Sequence, residues 1–310
     1  MAALANQTYI PPSTLESPMY AEVFTIIAPI LLCAAIGYGW ARSGTPYENE
    51  FVSRLVMNIG APCLVIGTLS KVDMPAQTLL DILLAATLVL CATGVIATII
   101  IKSCKLSVPV YLGPLIFPNT VNMGLPVCLF AFGEQGLAMA LGIYLIVSLT
   151  QFSLGVALVS GESAWRNTIR SPIVYSGLIG ATLIFTDTHL PLWLEQSLNL
   201  IGSFSIPLML ITLGVSLAQL KVKDVGLSTT LACCRLGLGL LVGYCVAELL
   251  ELEGTTRGVI IIQSSMPAAV FNYLLAHRYG RSPEAVAGLV VMSTMISFIT
   301  MPALLWFVLQ

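Results

Sequence analysis

The chain has 310 residues, of which 57% are hydrophobic and only 9% charged, with a formal net charge of −2. A soluble domain carries about a quarter charged residues, so most of this surface faces something other than water, and a lipid bilayer is the simple answer. The lack of a basic block excludes nucleic acid as a partner, and eight cysteines without a CxxC pair plus two separated histidines, His189 and His277, exclude a metal site and a disulfide framework.

Residues 1–19 contain no Lys or Arg and no continuous apolar core, unlike a signal peptide, and read as a polar extracytoplasmic tail. Ten apolar runs follow, at 20–41, 49–70, 79–103, 109–132, 136–159, 171–187, 191–219, 226–248, 256–277 and 284–308. The fold class expected is therefore an all-α polytopic membrane protein with ten transmembrane helices. In the second run Pro62 predicts a kink or hinge, and Asn58 reads as interhelical glue. Asp81 in the third run and Glu134 after the fourth read as interfacial groups.

The fourth run carries the anomaly "FPNTVNMGLPV", residues 117–127. Pro118 and Pro126 remove helix hydrogen bonds, and Asn119, Thr120, Asn122 and Gly124 lie between them. In hydrocarbon such a break belongs inside protein or against water, because an unsatisfied backbone group is expensive there. The fifth run contributes Gln151, either as a substrate contact or as glue between helices. The seventh holds Pro207, a second kink or hinge, and the eighth a lone cation, Arg235, expected to snorkel or to pair at a helix end. The ninth contains "QSSMPAAVFNYL", with Gln263, Ser264, Ser265, the break at Pro267, and Asn272. The carbonyls expected to be freed by these prolines belong to Asn58, Pro114, Asn122, Ser203 and Gln263.

Cations orient the bundle. Arg42, Arg54, Lys102, Lys105, Arg166, Arg170, Lys221, Lys223, Arg278 and Arg281 flank the odd-to-even connections, whereas only Lys71 and Arg257 lie in connections on the other side. The positive-inside rule then puts both termini outside the cytoplasm, and an even number of spans follows. The chain also repeats. "RLVMNIGAPCLVIGTLSKV" (54–72) aligns with "NLIGSFSIPLMLITLGVSL" (199–217), with Pro62 on Pro207, and "FGEQGLAMALGIYLIVS" (132–148) aligns with "YGRSPEAVAGLVVMSTM" (279–295), with Gly133 on Gly280. Residues 20–160 thus form one five-helix repeat and 169–310 a second, inverted because five is odd. Inverted repeats with broken helices at matching places mark secondary transporters with a site near mid-membrane. A half-helix restarting after a break presents unpaired N–H groups to an anion.

"PNTVNMGLPV" with the following "FAFGEQG" resembles the first crossover of the auxin efflux carrier family, within the bile, arsenite and riboflavin transporter superfamily. Pro118, Asn119, Thr120, Met123, Gly124 and Pro126 meet the fixed positions of its pattern P-N-T-x-x-M-G-[IL]-P. "SSMPAAVFNYLLAHRYGRSPEAVAGLVVMSTMISFITMP" is similar to the family's second crossover and last helix, and "IPLMLITLGVSLA" to its seventh helix. The resemblance, which runs from residue 20 onward, implies a scaffold of helices 1, 2, 6 and 7 and a transport domain of helices 3–5 and 8–10, with helices 4 and 9 crossing. It implies a carrier for auxin-like or small mono- and dicarboxylates, in which Asn119 meets the substrate carboxylate and Pro118 and Pro267 mark the crossover. The short loop "GESAWRNTIR" departs from the long central loop of the plant carriers and puts auxin itself in doubt.

The expected partners are a small organic anion and the bilayer of the plasma (inner) membrane, with a homodimer left open. No cofactor is expected, and coupling to protons or sodium is left open. A sodium-coupled symporter of the bile-acid type is the alternative. No intramembrane His/Asp/Glu or Ser/His constellation suggests an enzyme.

Overall fold

The computed structural model describes residues 19–161, 171–186, 188–220 and 222–310. Arg166, Arg170, Lys221 and all but the last residue of the polar tail lie outside the described residues. Every regular element within them is helical: α1 (Met19–Arg42), α2 (Asn49–Leu69), α3 (Ala76–Ser103), α4 (Val108–Ile116), α5 (Thr120–Ser160), α6 (Pro172–Phe185), α7 (Leu192–Gln219), α8 (Val225–Leu249), α9 (Gly254–Ser264), α10 (Val270–Arg278) and α11 (Pro283–Leu309). Among the described residues seven of these, α1, α2, α3, α5, α7, α8 and α11, are long and apolar enough to cross a membrane.

Proline accounts for several of the helix interruptions, though not for the π-helical stretch Gln151–Gly155 in α5. In α2 a π-helical stretch, Val56–Gly60, ends two residues before Pro62, and in α5 another, Thr120–Gly124, ends two residues before Pro126. A proline offers no N–H to the preceding turn, and widening that turn redistributes the hydrogen bonds that remain. In α7 the helix instead breaks at Phe204, three residues before Pro207. Unbroken, the 41 residues of α5 would make a rod of about 60 Å, twice the hydrocarbon thickness. The chain kinks at Gly133, whose φ of 64° and ψ of −156° fall where a Cβ is poorly tolerated. Gly280, before α11, has the same φ of 64°.

The packing sorts the helices. α1 lies along α7, and α2 lies against α6 and α7. α3 packs on α4, α5 and α8, α9 on α5 and α8, and α11 on α8 and α10. The surface between is apolar: Leu32, Ile99, Leu241 and Ile299 stand exposed in mid-helix. In water that would be a liability, but facing lipid it is the ground state. Lipid tails are as apolar as Leu, so helix association rests on close packing and hydrogen bonds rather than on hydrophobic exclusion. Buried polar groups therefore have to be explained one by one.

Candidate functional site

Two helices stop short inside the protein. α4 ends because Phe117 precedes Pro118, and steric conflict with the proline ring pushes it into extended backbone, with φ −88° and ψ 107°. α9 ends at Ser264, and the chain runs through Met266 and Pro267 before Ala269, also extended at φ −64° and ψ 135°, leads into α10. The two extended pieces cross and pair. Asn119 N–H donates to the Pro267 carbonyl at 2.7 Å, and Ala269 N–H donates to the Phe117 carbonyl at 3.1 Å. Pro118 and Ala268 face each other at the centre of this antiparallel bridge. The Ala268 N–H points away and is taken by Ser293 Oγ at 3.1 Å, whereas Pro118 has no N–H to satisfy. Each break repairs the other, so irregular backbone survives in the interior of an apolar protein.

Side chains gather on the crossing. Gln263 is fully buried, and a Cβ built on Gly124 would lie 2.2 Å from its Oε1, so the glycine of the first break is what admits the glutamine of the second. Gln263 Nε2 reaches Cys128 Sγ at 3.7 Å, while Oε1 has no protein partner. Asn272, in the first turn of α10, donates through Nδ2 to the Ala269 carbonyl at 3.0 Å and to the Phe117 carbonyl at 3.5 Å, and its Oδ1 accepts from Gln151 Nε2 at 3.3 Å. Asn119 and Thr120 are buried beside the break, and Asn119 Nδ2 has no protein partner.

Of the residues singled out from the sequence, Asn119, Thr120, Gln263, Asn272 and Gln151 thus meet at the crossing, with Pro118, Gly124 and Pro267 in its backbone. Asn122 is half-buried within the π-turn, and Pro126 follows that turn. The hydroxyls of Ser264 and Ser265 both bond back to the Ile261 carbonyl, at 3.0 and 2.7 Å. Pro62 and Pro207 stand apart in α2 and α7, but the kinks they follow nest together: a Cβ on Gly60 would meet Ser205 Oγ at 2.2 Å. The carbonyl of Gln263, expected to be free, accepts from Met266 N–H at 3.4 Å.

Arg235 meets one of its two expected placements and not the other. It does not snorkel; it pairs at a helix end, that of α9 and not of its own helix. It is 1% exposed in the middle of α8, the largest fully buried side chain, and one Nη donates to the Ser264 carbonyl at 2.9 Å. Thr93, Arg235, Gln263 and Ser264, together with Pro118, line a cavity of ≈ 20 Å³, space for about one water. Thr93, Arg235 and Ser293 were missed as site residues. The one available signal was a lone arginine inside a long apolar run, which in a membrane protein is a functional flag by default.

A second cavity, of ≈ 370 Å³, opens between α2, the C-terminal part of α5, the start of α6, and α10. Asn58, Phe152, Phe271 and Tyr279 line it, with Arg54 and Arg278. Phe152 and Phe271 meet edge to face at 5.2 Å, and they are the chain neighbours of the hydrogen-bonded pair Gln151 and Asn272. The cleft is thus lined by the residues next in the chain to that pair on α5 and α10.

A sequence profile described as "Membrane transport protein" matches residues 22–164 and 153–305, nearly the whole chain. The chain belongs to the membrane transport protein family, that of the auxin efflux carriers. Two archaeal relatives, both named only as uncharacterized transporters, match over most of their length. That of Methanocaldococcus jannaschii is 25% identical over 304 residues, 92% of this chain and 98% of its own. That of Methanothermobacter thermautotrophicus is 25% identical over 295 residues, 90% of this chain and 96% of its own. Auxin efflux carrier component 8 of Arabidopsis thaliana is 27% identical over 149 residues, 44% of this chain and 39% of the plant protein. The protein is a multi-pass membrane transporter and not an enzyme.

Proposed function

We propose that this protein is a secondary carrier that moves a small organic anion, auxin-like or a small mono- or dicarboxylate, across the plasma (inner) membrane by alternating access. The observation that carries this is the crossing: two interrupted helices paired at Phe117–Asn119 and Pro267–Ala269, with Asn119 Nδ2 buried and without a protein partner. An amide donor next to the restarting helix α5 suits a carboxylate, since the first N–H groups of a helix lack acceptors and carry partial positive charge. Thr120, Asn122, Gln263, Asn272 and Gln151 complete the polar lining in this reading.

Ten spans in two inverted five-helix repeats, 20–160 and 169–310, fit the same picture. Support comes from the reciprocal bonds at the crossing, from the shared φ of 64° at Gly133 and Gly280, and from interruptions just before Pro62 and Pro207. Helices α1, α2, α6 and α7 would be the scaffold and the rest the transport domain. The ≈ 370 Å³ cleft lies along that division, with α2 and α6 on one side and α5 and α10 on the other. Grouping alternate connections on one face is supported by contacts that join them: Lys223 with Glu284 at 3.0 Å, Lys71 with Glu195 at 3.9 Å, and Arg281 Nε with the Val159 carbonyl at 3.1 Å. That both termini lie outside the cytoplasm rests on the distribution of Lys and Arg. The sodium-coupled alternative ranks lower, because Arg235 already occupies the Ser264 carbonyl and its charge repels a cation.

Purified protein in liposomes, given a panel of labelled mono- and dicarboxylates under imposed sodium or proton gradients, tests this. Flux of at least one carboxylate above protein-free vesicles is expected, and an intact protein that moves none of them refutes it.

A further inference from the structure

Given the anion-carrier function proposed above, we infer that Arg235 is the fixed charge that makes the crossing select anions, acting from behind the first break without touching the substrate. α4 and α9 both run C-terminal end first into the crossing, stopping at Ile116 and Ser264. Helix C-termini carry partial negative charge on their unpaired carbonyls. The restarting helices α5 and α10 bring their positive N-terminal ends to the same crossing, so the helix ends set partial charges of both signs against each other there. A full charge beside them then decides which sign of ligand rests at the site.

Arg235 is placed to do so. Its Nη donates to the carbonyl of Ser264, the last residue of α9, at 2.9 Å, and thereby caps that negative end with a full positive charge. Gly239, four residues further along α8 and hence on the same face, permits the approach. A Cβ there would lie 2.1 Å from the Ser264 carbonyl oxygen and 3.0 Å from Arg235 Nη1. The guanidinium shares its small cavity with Pro118, the centre of the crossing, so the charge stands one layer behind the bridge. Apart from Thr93, Gln263 and Ser264 the walls are apolar, among them Val89, Leu90 and Ile260, and no charged group among them screens it.

No carboxylate among the described residues forms an ion pair with Arg235; the four pairs formed there are Arg54–Glu50, Lys71–Glu195, Lys223–Glu284 and Arg257–Glu248. An arginine buried without a counter-charge is expensive, and proteins retain one in a membrane span where the charge has a use. A purely structural role would need only a donor to the Ser264 carbonyl, which a neutral side chain supplies equally well. That difference makes the inference testable.

The experiment compares uptake of a carboxylate with uptake of its uncharged primary amide, in liposomes containing wild type, Arg235→Gln, Arg235→Lys or Thr93→Asp. Arg235→Gln keeps a donor and removes the charge. Thr93→Asp keeps the arginine and neutralises it from across the cavity. The expected result is that Arg235→Gln and Thr93→Asp raise the carboxylate KM about tenfold, as a unit charge at roughly 10 Å in a partly screened interior would, and lower the carboxylate-to-amide ratio similarly. Arg235→Lys stays close to wild type. A folded, monodisperse Arg235→Gln with unchanged KM and unchanged ratio overturns the inference, as does an Arg235→Lys as defective as Arg235→Gln. If Arg235→Gln does not fold, Thr93→Asp decides, and an unchanged ratio there is equally fatal. Wild type that moves no carboxylate sinks the carrier function itself, a result visible before any variant is compared.

Discussion

The N–H of Asn119 stands 2.7 Å from the carbonyl of Pro267, so each interrupted helix is completed by a residue of the other. These two residues lie in different halves of the chain and in different hydrogen-bonding predicaments. Asn119 begins a helix and has an amide to donate, whereas Pro267 ends a break and has a carbonyl to fill. The backbone of Asn119 is thereby fixed while its side-chain Nδ2 stays without a protein partner.

Asn119→Ala should therefore separate function from stability. It removes no intramolecular side-chain bond at Nδ2, so the melting temperature in detergent should stay within about 2–4 °C of wild type. Carboxylate flux should fall at least about tenfold, the value of one lost hydrogen bond to a charged group. A variant that loses flux only in proportion to lost folded protein would speak against a substrate contact.

Asn272→Ala should behave differently. Its amide bonds the Ala269 carbonyl and Gln151, so truncation leaves buried groups unpaired, at a cost of about 1–3 kcal/mol. A lowered melting temperature together with lowered flux is expected, measured by thermal denaturation in detergent. Gln151→Ala should be milder, since it removes only the 3.3 Å bond.

Gly124→Ala puts a methyl group 2.2 Å from Gln263 Oε1, the end of a fully buried side chain that would have to move aside. Overpacking of this kind costs about 1–3 kcal/mol. Pairing it with Gln263→Ala, which clears the space, should recover part of the lost stability. Thermal melts of the two single variants and the double variant measure that coupling.

Orientation is accessible through cysteines. Cys104 is free and exposed in the connection after α3, which the positive-inside rule places in the cytoplasm. In an otherwise cysteine-free protein, Cys104 should react with a membrane-impermeant maleimide only after cells are permeabilised. A cysteine at Gln310→Cys should react in intact cells. The opposite pattern would invert the assigned topology.

Much of the fold was legible because the bilayer enforces it. Runs of apolar length, punctuated by Gly and Pro, mark most outer helix ends close to those observed, since in hydrocarbon the backbone has few alternatives to helix, but the expected gap between the fourth and fifth runs is only a kink at Gly133 inside α5. The breaks were legible too, because Pro118 and Pro267 each delete a donor wherever they stand. The site was only partly legible. Asn119 announces itself by following a break, but Arg235 reads only as a residue that either escapes to the interface or pairs at some helix end. Nothing nearby in the chain distinguishes that from its actual place under Ser264, 29 residues away. Thr93 and Ser293 gave no signal, because an isolated hydroxyl in an apolar run commonly bonds back to its own helix.

By itself the sequence determined the helical class, the membrane setting, the family and the positions of the interruptions, all of which depend on local composition and backbone chemistry. The tertiary structure alone decided that the two breaks pair as an antiparallel bridge, that Gln263 fills the space left by Gly124, and that a charge sits behind Pro118. Those are relations between residues far apart in the chain, set by which helix faces meet, and helix faces of Leu, Ile and Val in lipid carry too little chemical distinction to announce their partners.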